Sequence, residues 1–390
     1  MILIIILITS NVLLKIYTLK LDMRIFYRLF FLSILTIAFA CSSDNDGFPE
    51  EGEEAEEISP VVFDIDAVPY PKLSDYNFFK SPLSDMNPVY GVIPYEPISS
   101  LFTDYAIKKR FLWMPEGVSA NYTADDEIIN FPSGAVLIKS FYYNNVLPGN
   151  TTRILETRLM IKKDNEWLFA NYKWNEEQSE AFLDLEGSFV PVEWNQNGET
   201  KSVNYRIPSH AECLTCHKTN DNAIPIGPKP QNLNFNILFA EGSMNQLEKW
   251  EEFGYLNPGF PANINTMVNY NDASEPLEMR VRSYLDINCA HCHNENGHCN
   301  YLPIKLSYSE TEDPSNMGVC VVPNIDISGM VGETVTHIVV PGSPEKSTMY
   351  HRINTEMENI RMPMLGRNLI HTEGVSLVTQ WINSLEGECN

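Results

Sequence analysis

Cys213-Leu214-Thr215-Cys216-His217 and Cys289-Ala290-His291-Cys292-His293 repeat one pattern, Cys-x-x-Cys-His, within a single chain. This spacing is the attachment signature of c-type haem. Two thiols at that offset add across the two vinyl groups of one porphyrin, and the following His offers a neutral imidazole to the iron as proximal ligand. One such pentad also suits a thiol redox or zinc site. Two together point to two covalently attached haem c groups, held by Cys213, Cys216, Cys289 and Cys292, with His217 and His293 on the metal. His291, between two attachment thiols, is expected to be a bystander.

The N-terminus reads as a targeting segment. Met23-Arg24 and Arg28 form a positive region, and Leu29 to Ala40 is apolar. Ala38-Phe39-Ala40-Cys41 resembles a bacterial lipobox, which implies cleavage before Cys41 and lipid on that residue. Neither this run nor the apolar run within Met1–Asp22 reaches the roughly 18–20 continuous apolar residues of a spanning helix. Residues 1–41 are read as a signal and lipoprotein segment with its true start at Met23. A lipid anchor places the folded part in the cell envelope, on the outer membrane and periplasmic or surface-exposed. Export fits covalent haem attachment, which needs a compartment where thiols can be oxidised. Of the eight Cys, one would carry lipid and four haem. One pair among Cys299, Cys320 and Cys389 is expected as a disulfide, and the sequence leaves the pairing open. The net charge of -24 argues against nucleic acid and is compatible with steering a basic redox partner protein.

Residues 42–60 read as an acidic tether, because the run Glu50-Glu51-Gly52-Glu53-Glu54-Ala55-Glu56-Glu57 repels itself. Residues 61–208 read as β-rich. Arg153 to Lys162 alternates, with Ile154, Glu156, Arg158 and Met160 on one face and Leu155, Thr157, Leu159 and Ile161 on the other. Asp164-Asn165 marks one turn. Asn197-Gly198, between Phe189–Trp194 and Ser202–Ile207, is a hairpin signal. Residues 209–272 hold the first pentad and a linker. From 273 to 390 the pattern turns helical, with Leu277, Val281, Tyr284 and Leu285 on one stripe and Val375, Val378, Trp381, Ile382 and Leu385 on another. Ser243 with Gln246, Ser274 and Thr372 are candidate helix caps. The predicted fold class is α+β: an N-terminal β-rich sandwich or barrel-like domain, followed by a mainly α-helical cytochrome c-like domain carrying the second pentad.

A distal ligand for the second haem is sought in Arg361-Met362-Pro363-Met364-Leu365-Gly366. A Met thioether is soft and favours Fe(II), and Pro holds the chain extended so that the preceding side chain can be aimed. Met362 is the first candidate and Met364 the second. The first pentad has no clear distal ligand: His210 lies too close in sequence, and Met244, Met267 and Met279 are equally suited to core packing. Ile224-Pro225-Ile226-Gly227-Pro228-Lys229-Pro230 is a stiff segment able to line its pocket.

Taken in order, Leu73-Ser74-Asp75-Tyr76, Pro97 to Ala106, Leu155-Glu156-Thr157-Arg158-Leu159, Trp174-Asn175-Glu176-Glu177-Gln178, Pro225 to Lys229 and Tyr284 to Asn294 resemble a family of bacterial dihaem c-type cytochromes of unknown role, often encoded beside parallel β-helix proteins. The C-terminal part resembles class I cytochrome c. The resemblance implies two covalent haems and electron transfer, with no substrate. A dihaem peroxidase or haem-dependent oxidoreductase, with a substrate site in the β-rich part, is the alternative.

Overall fold

Runs of Val, Ile, Phe and Tyr separated by turn residues build the frame. In the computed structural model, which describes residues 57–220 and 222–389, these runs form β1 (Ile93–Pro94), β2 (Ile107–Trp113), β3 (Val136–Val146), β4 (Thr151–Lys163), β5 (Glu166–Trp174), β6 (Ala181–Leu183), β7 (Ser188–Gln196) and β8 (Glu199–Ile207). They join in one eight-stranded antiparallel sheet of order β1-β2-β3-β4-β5-β6, with β7 pairing the end of β3 and β8 pairing β7. Cys41, the signal segment and the tether up to residue 56 lie outside the described residues.

The turns follow from local chemistry. Gln196 pairs with Glu199 across Asn197-Gly198. Both turn residues take positive φ, 55° and 85°, as a two-residue type I′ hairpin requires. The alternation along β4 departs from the expected pattern at one point. Phe141 pairs with Glu156 but Tyr142 pairs with Ile154, so Leu155 bulges out of register. Ile154 consequently joins Leu159 and Ile161 in one core, whereas Leu155 joins Phe141 in another.

Both faces of the sheet are covered by chain that is not itself a second sheet. Leu73, Tyr76, Phe78 and Met86 pack on one face. Leu233, Leu247, Trp250 and Tyr255, from beyond β8, pack on the other. Residues Ile58–Asn390 accordingly form one compact unit. The sandwich or barrel expected from the strand pattern is replaced by a single large sheet clothed in irregular segments.

The larger correction concerns the C-terminal part: no helical cytochrome-like domain is evident among the described residues, and strand exceeds helix, at 26% against 20%. The helices are α1 (His210–Cys216), α2 (Gln246–Glu252), α3 (Leu277–Leu285), α4 (Thr348–Ile353) and α5 (Thr372–Ser384), with shorter turns between them. The amphipathic stripes of α3 and α5 are real, and Val281, Leu285, Val378 and Trp381 share one core. The chain between them cannot be helical throughout. Pro303, Pro314 and Pro323 lack the N–H a helix needs. Gly318 has φ +88° and lies so close to Ile338 that a Cβ would collide with that side chain. The disulfide forms between Cys320 and Cys389, and Cys299 stays free and buried. The caps also shift. Asn245, not Ser243, caps α2, and α3 starts after Pro276 while Ser274 bonds Asp272. Thr372 is the first residue of α5.

Candidate functional site

The first pentad rides on α1. Ser209 and Glu212 form a capping box: the Ser209 hydroxyl accepts the Glu212 N–H, and the Glu212 carboxylate accepts the Ser209 N–H at 3.0 Å. Arg206 pairs with the same carboxylate. This fixed start puts Cys213 inward, buried, and leaves Cys216 and His217 at the helix end. His217 Nδ1 lies 3.0 Å from the Ile224 carbonyl oxygen. A carbonyl only accepts, so Nδ1 carries the proton and Nε2 keeps its lone pair. Burial pushes this imidazole down to about 3, so it is neutral near pH 7.

The second pentad follows α3 through one wider, π-type turn at Asp286–Ala290. Polar side chains in that turn fasten it. Asn288 receives the Phe102 N–H at 2.8 Å and donates to the Tyr284 carbonyl at 3.0 Å. Asp286 accepts from Lys229 Nζ at 2.9 Å and from the Tyr308 N–H at 3.0 Å. His293 is 9% exposed, and its Nδ1 is buried without a partner among the described residues. Burial lowers it to about 4 and raises the Cys289 thiol to about 12.

The two pentads meet. The donor atoms of Cys216, His291 and Cys292 all lie within 4.8 Å of one another. The Cys292 thiol donates to the Thr215 carbonyl at 3.9 Å, and the neighbouring Cys292 and His291 hold Cys216 well below the usual thiol range while Cys216 and burial hold Cys292 above it. The buried Lys229–Asp286 ion pair and the Asn220 N–H to Asn296 carbonyl bond, 2.8 Å, join the flanks of the two pentads. His291, expected to stand aside, is therefore part of the junction.

Most of each pentad nevertheless opens on its own cavity, although His291 also lines the first and Cys292 lines only the junction between them. Cys213, Cys216 and His217 line a cleft of about 1410 Å³, open mouth included, floored by the sheet. Cys289 and His293 line a second of about 1320 Å³, open mouth included, walled by loops and α4. Met362 and Met364 line the second cavity, whereas Leu365 and Gly366 line the first, and Pro363 borders the first and the junction. The Met362 loop is thus a partition between the two cavities.

Arg367, which no sequence motif marks, holds this partition. Buried, it donates to the carbonyls of Met362 (3.0 Å), Leu369 (3.2 Å), Arg352 (3.0 Å) and Thr355 (3.0 Å). Asp104 secures the next residues, accepting the N–H groups of Asn368 and Leu369 at 2.6 and 2.8 Å. A lone Arg after Gly366 and a lone Asp after Thr103 carry no local pattern that reveals these roles. His210 Nδ1 rests 3.2 Å from the Phe169 carbonyl oxygen. Of the three Met residues considered for the first haem, Met244 and Met267 pack in cores or against them and Met279 contacts Arg282. None of the three lines the first cleft.

These residues fit a haem at each pentad. The attachment thiols are outside any disulfide, each imidazole is neutral, the Nδ1 bond leaves His217 Nε2 as its lone-pair nitrogen, His293 Nδ1 has no partner among the described residues, and each opens on a cavity. Comparison with protein-family models, with curated proteins and with solved structures gives no match for this chain.

Proposed function

We propose that this chain is an exported, lipid-anchored dihaem c-type cytochrome that passes electrons through two covalently bound haems to and from redox partner proteins. Cys213 and Cys216 would hold one group and Cys289 and Cys292 the other. His217 and His293 would face the irons, and Met362 would be the second axial ligand at the second site. When bound, the groups supply one-electron chemistry; the chain supplies ligation, burial and spacing. The observation that carries this reading is the junction of Cys216 with Cys292. Two cavities whose attachment thiols approach within 4.8 Å of each other would set two redox groups edge to edge, as a relay requires. The resemblance to the bacterial dihaem family supports the same reading, as does Cys41 for the anchor and the cell envelope.

The junction also favours a second reading. Two thiols and an imidazole within 4.8 Å form a soft donor set that suits zinc. One experiment separates them. The protein is produced in a host competent in cytochrome maturation, then assayed by pyridine haemochrome, intact mass and elemental analysis. Two haems per chain are expected, falling to one in Cys289→Ala/Cys292→Ala. A colourless protein of unmodified mass, with stoichiometric zinc, overturns the cytochrome reading in favour of the second.

A further inference from the structure

The floor of the first cleft carries an arrangement that a sheet normally avoids. Arg110 on β2 pairs in register with Lys139 on β3, and Lys139 with Arg158 on β4. Asn171 on β5 continues the row opposite Arg158. All four line the cleft. Like charges directly opposite each other destabilise a sheet, and here three basic side chains stand side by side in a chain whose net charge is -24.

The protein neutralises only one of them. Arg158 is paired with Glu156, which is 0% exposed and also accepts from Tyr205. Arg206, on the rim, has Glu212. Arg110 is 9% exposed and donates to the Ser100 hydroxyl at 3.1 Å. Lys139 lies 5.0 Å over the Phe141 ring. Among the described residues neither has an acidic side chain within ion-pair distance. With strands about 4.8 Å apart, Arg110 and Arg158 stand roughly 10 Å apart with Lys139 between them. The row starts beside Cys213, where Arg158 acts on the thiol electrostatically, and runs away from it across the floor. A guanidinium takes a carboxylate through two parallel N–H bonds.

We propose that Arg110, Lys139 and Arg158 form a carboxylate-binding site in the first cleft. The carboxylates have two possible sources: the propionate groups of a haem attached at Cys213 and Cys216, or a free carboxylate admitted through the mouth. The first source rests on the cytochrome reading; the site itself does not.

The test uses the full chain and its Cys213→Ala/Cys216→Ala variant, which bears no covalent group at the first pentad. Succinate is the probe, in low-salt buffer free of other polyanions, and the readouts are titration calorimetry and the thermal unfolding midpoint. The variant should bind succinate and unfold at higher temperature with it. Adding Lys139→Met or Arg110→Met should weaken binding tenfold or more. Lys139→Met should also raise the midpoint without succinate, because repulsion along the row is relieved; a merely structural lysine would give a lower one. In the haem-bearing protein, lost succinate binding assigns the row to the propionates, and retained binding assigns it to a free carboxylate. If the variant binds no succinate, or binds it equally well after both ladder substitutions, the proposal fails. Either result overturns it whether or not the parent carries haem, since a haem-free parent is titrated in the same way.

Discussion

The two cavities are built from opposite materials. The first stands on rigid strands and carries Arg110, Lys139 and Arg158 on its floor. The second is walled by loops and short helices, is lined mainly by apolar side chains such as Ile304, Ile338, Met349 and Ile360 with Arg352 as its one arginine, and faces Met362. A charged wall and an apolar wall with a thioether would tune identical redox groups apart, because burial, nearby charge and the axial ligand set the potential. Two copies of one pentad thus need not give two equal sites. The difference comes from what the rest of the chain places opposite them.

Glu156 offers the largest perturbation of the first side. It is buried and accepts from Arg158 at 2.6 and 2.9 Å and from Tyr205 at 2.7 Å. Glu156→Gln keeps the shape but leaves Arg158 uncompensated beside two other cations. Breaking one half of a buried pair costs about 3–5 kcal/mol. Urea unfolding at pH 7 should show that loss, and an unchanged midpoint would mean that the row is neutralised by some other group.

The corresponding anchor on the second side is covalent. Cys320–Cys389 closes a loop across a sequence separation of 69 and ties the C-terminus to the segment beside Gly318. Cys320→Ser/Cys389→Ser should lower stability by about 2–4 kcal/mol. Because the second cavity depends on loops, this change should loosen it and leave the sheet floor of the first intact. Hydrogen exchange that rises equally on β2–β5 would break the contrast between the two sides. Met362→Ala is subtler. It should lower one midpoint potential, by some part of the ~0.8 V that axial ligands span, and leave the other in place. No shift in either potential would remove Met362 from the iron.

These anchors differ in how far the sequence reveals them. The pentads are legible because their chemistry needs neighbours along the chain. Asn197-Gly198 is legible because a two-residue hairpin admits few residue types. Arg110, Lys139 and Arg158 look like ordinary strand charges. Their alignment depends on turn lengths and strand register, which only the folded sheet reveals. Arg367 acts through backbone carbonyls scattered over the Arg352–Leu369 stretch, and Cys320–Cys389 is one of several pairings the sequence allows. Helical periodicity overstates the C-terminal part for a related reason. The stripes of α3 and α5 are genuine, but they bracket a segment whose Pro and Gly residues forbid a continuous helical domain between them.

A final test reads the cationic floor through pH, at Lys108, two residues before Arg110 on β2. Burial, together with Arg110 and Arg158, lowers Lys108 to about 7, and burial and the same neighbours hold Lys139 well below its ordinary range. In the unfolded chain a lysine titrates near ~10.4. Between about pH 7 and pH 10 the unfolded chain therefore binds more protons than the folded one, and this contribution to stability rises with pH. Below pH 7 the full penalty of a charged Lys108 is present. Comparing the Cys213→Ala/Cys216→Ala protein with and without Lys108→Met isolates this group, because the buried tyrosines and remaining thiols are common to both. The Lys108→Met form should be the more stable at pH 6 and lose that advantage by about pH 10. Saturating succinate should flatten the difference, since an anion on the row restores the lysine's charge. A difference that is constant across this range would show that neither burial nor the neighbouring Arg110 and Arg158 shift Lys108, and would remove this sign of an electropositive floor from the contrast between the two sides.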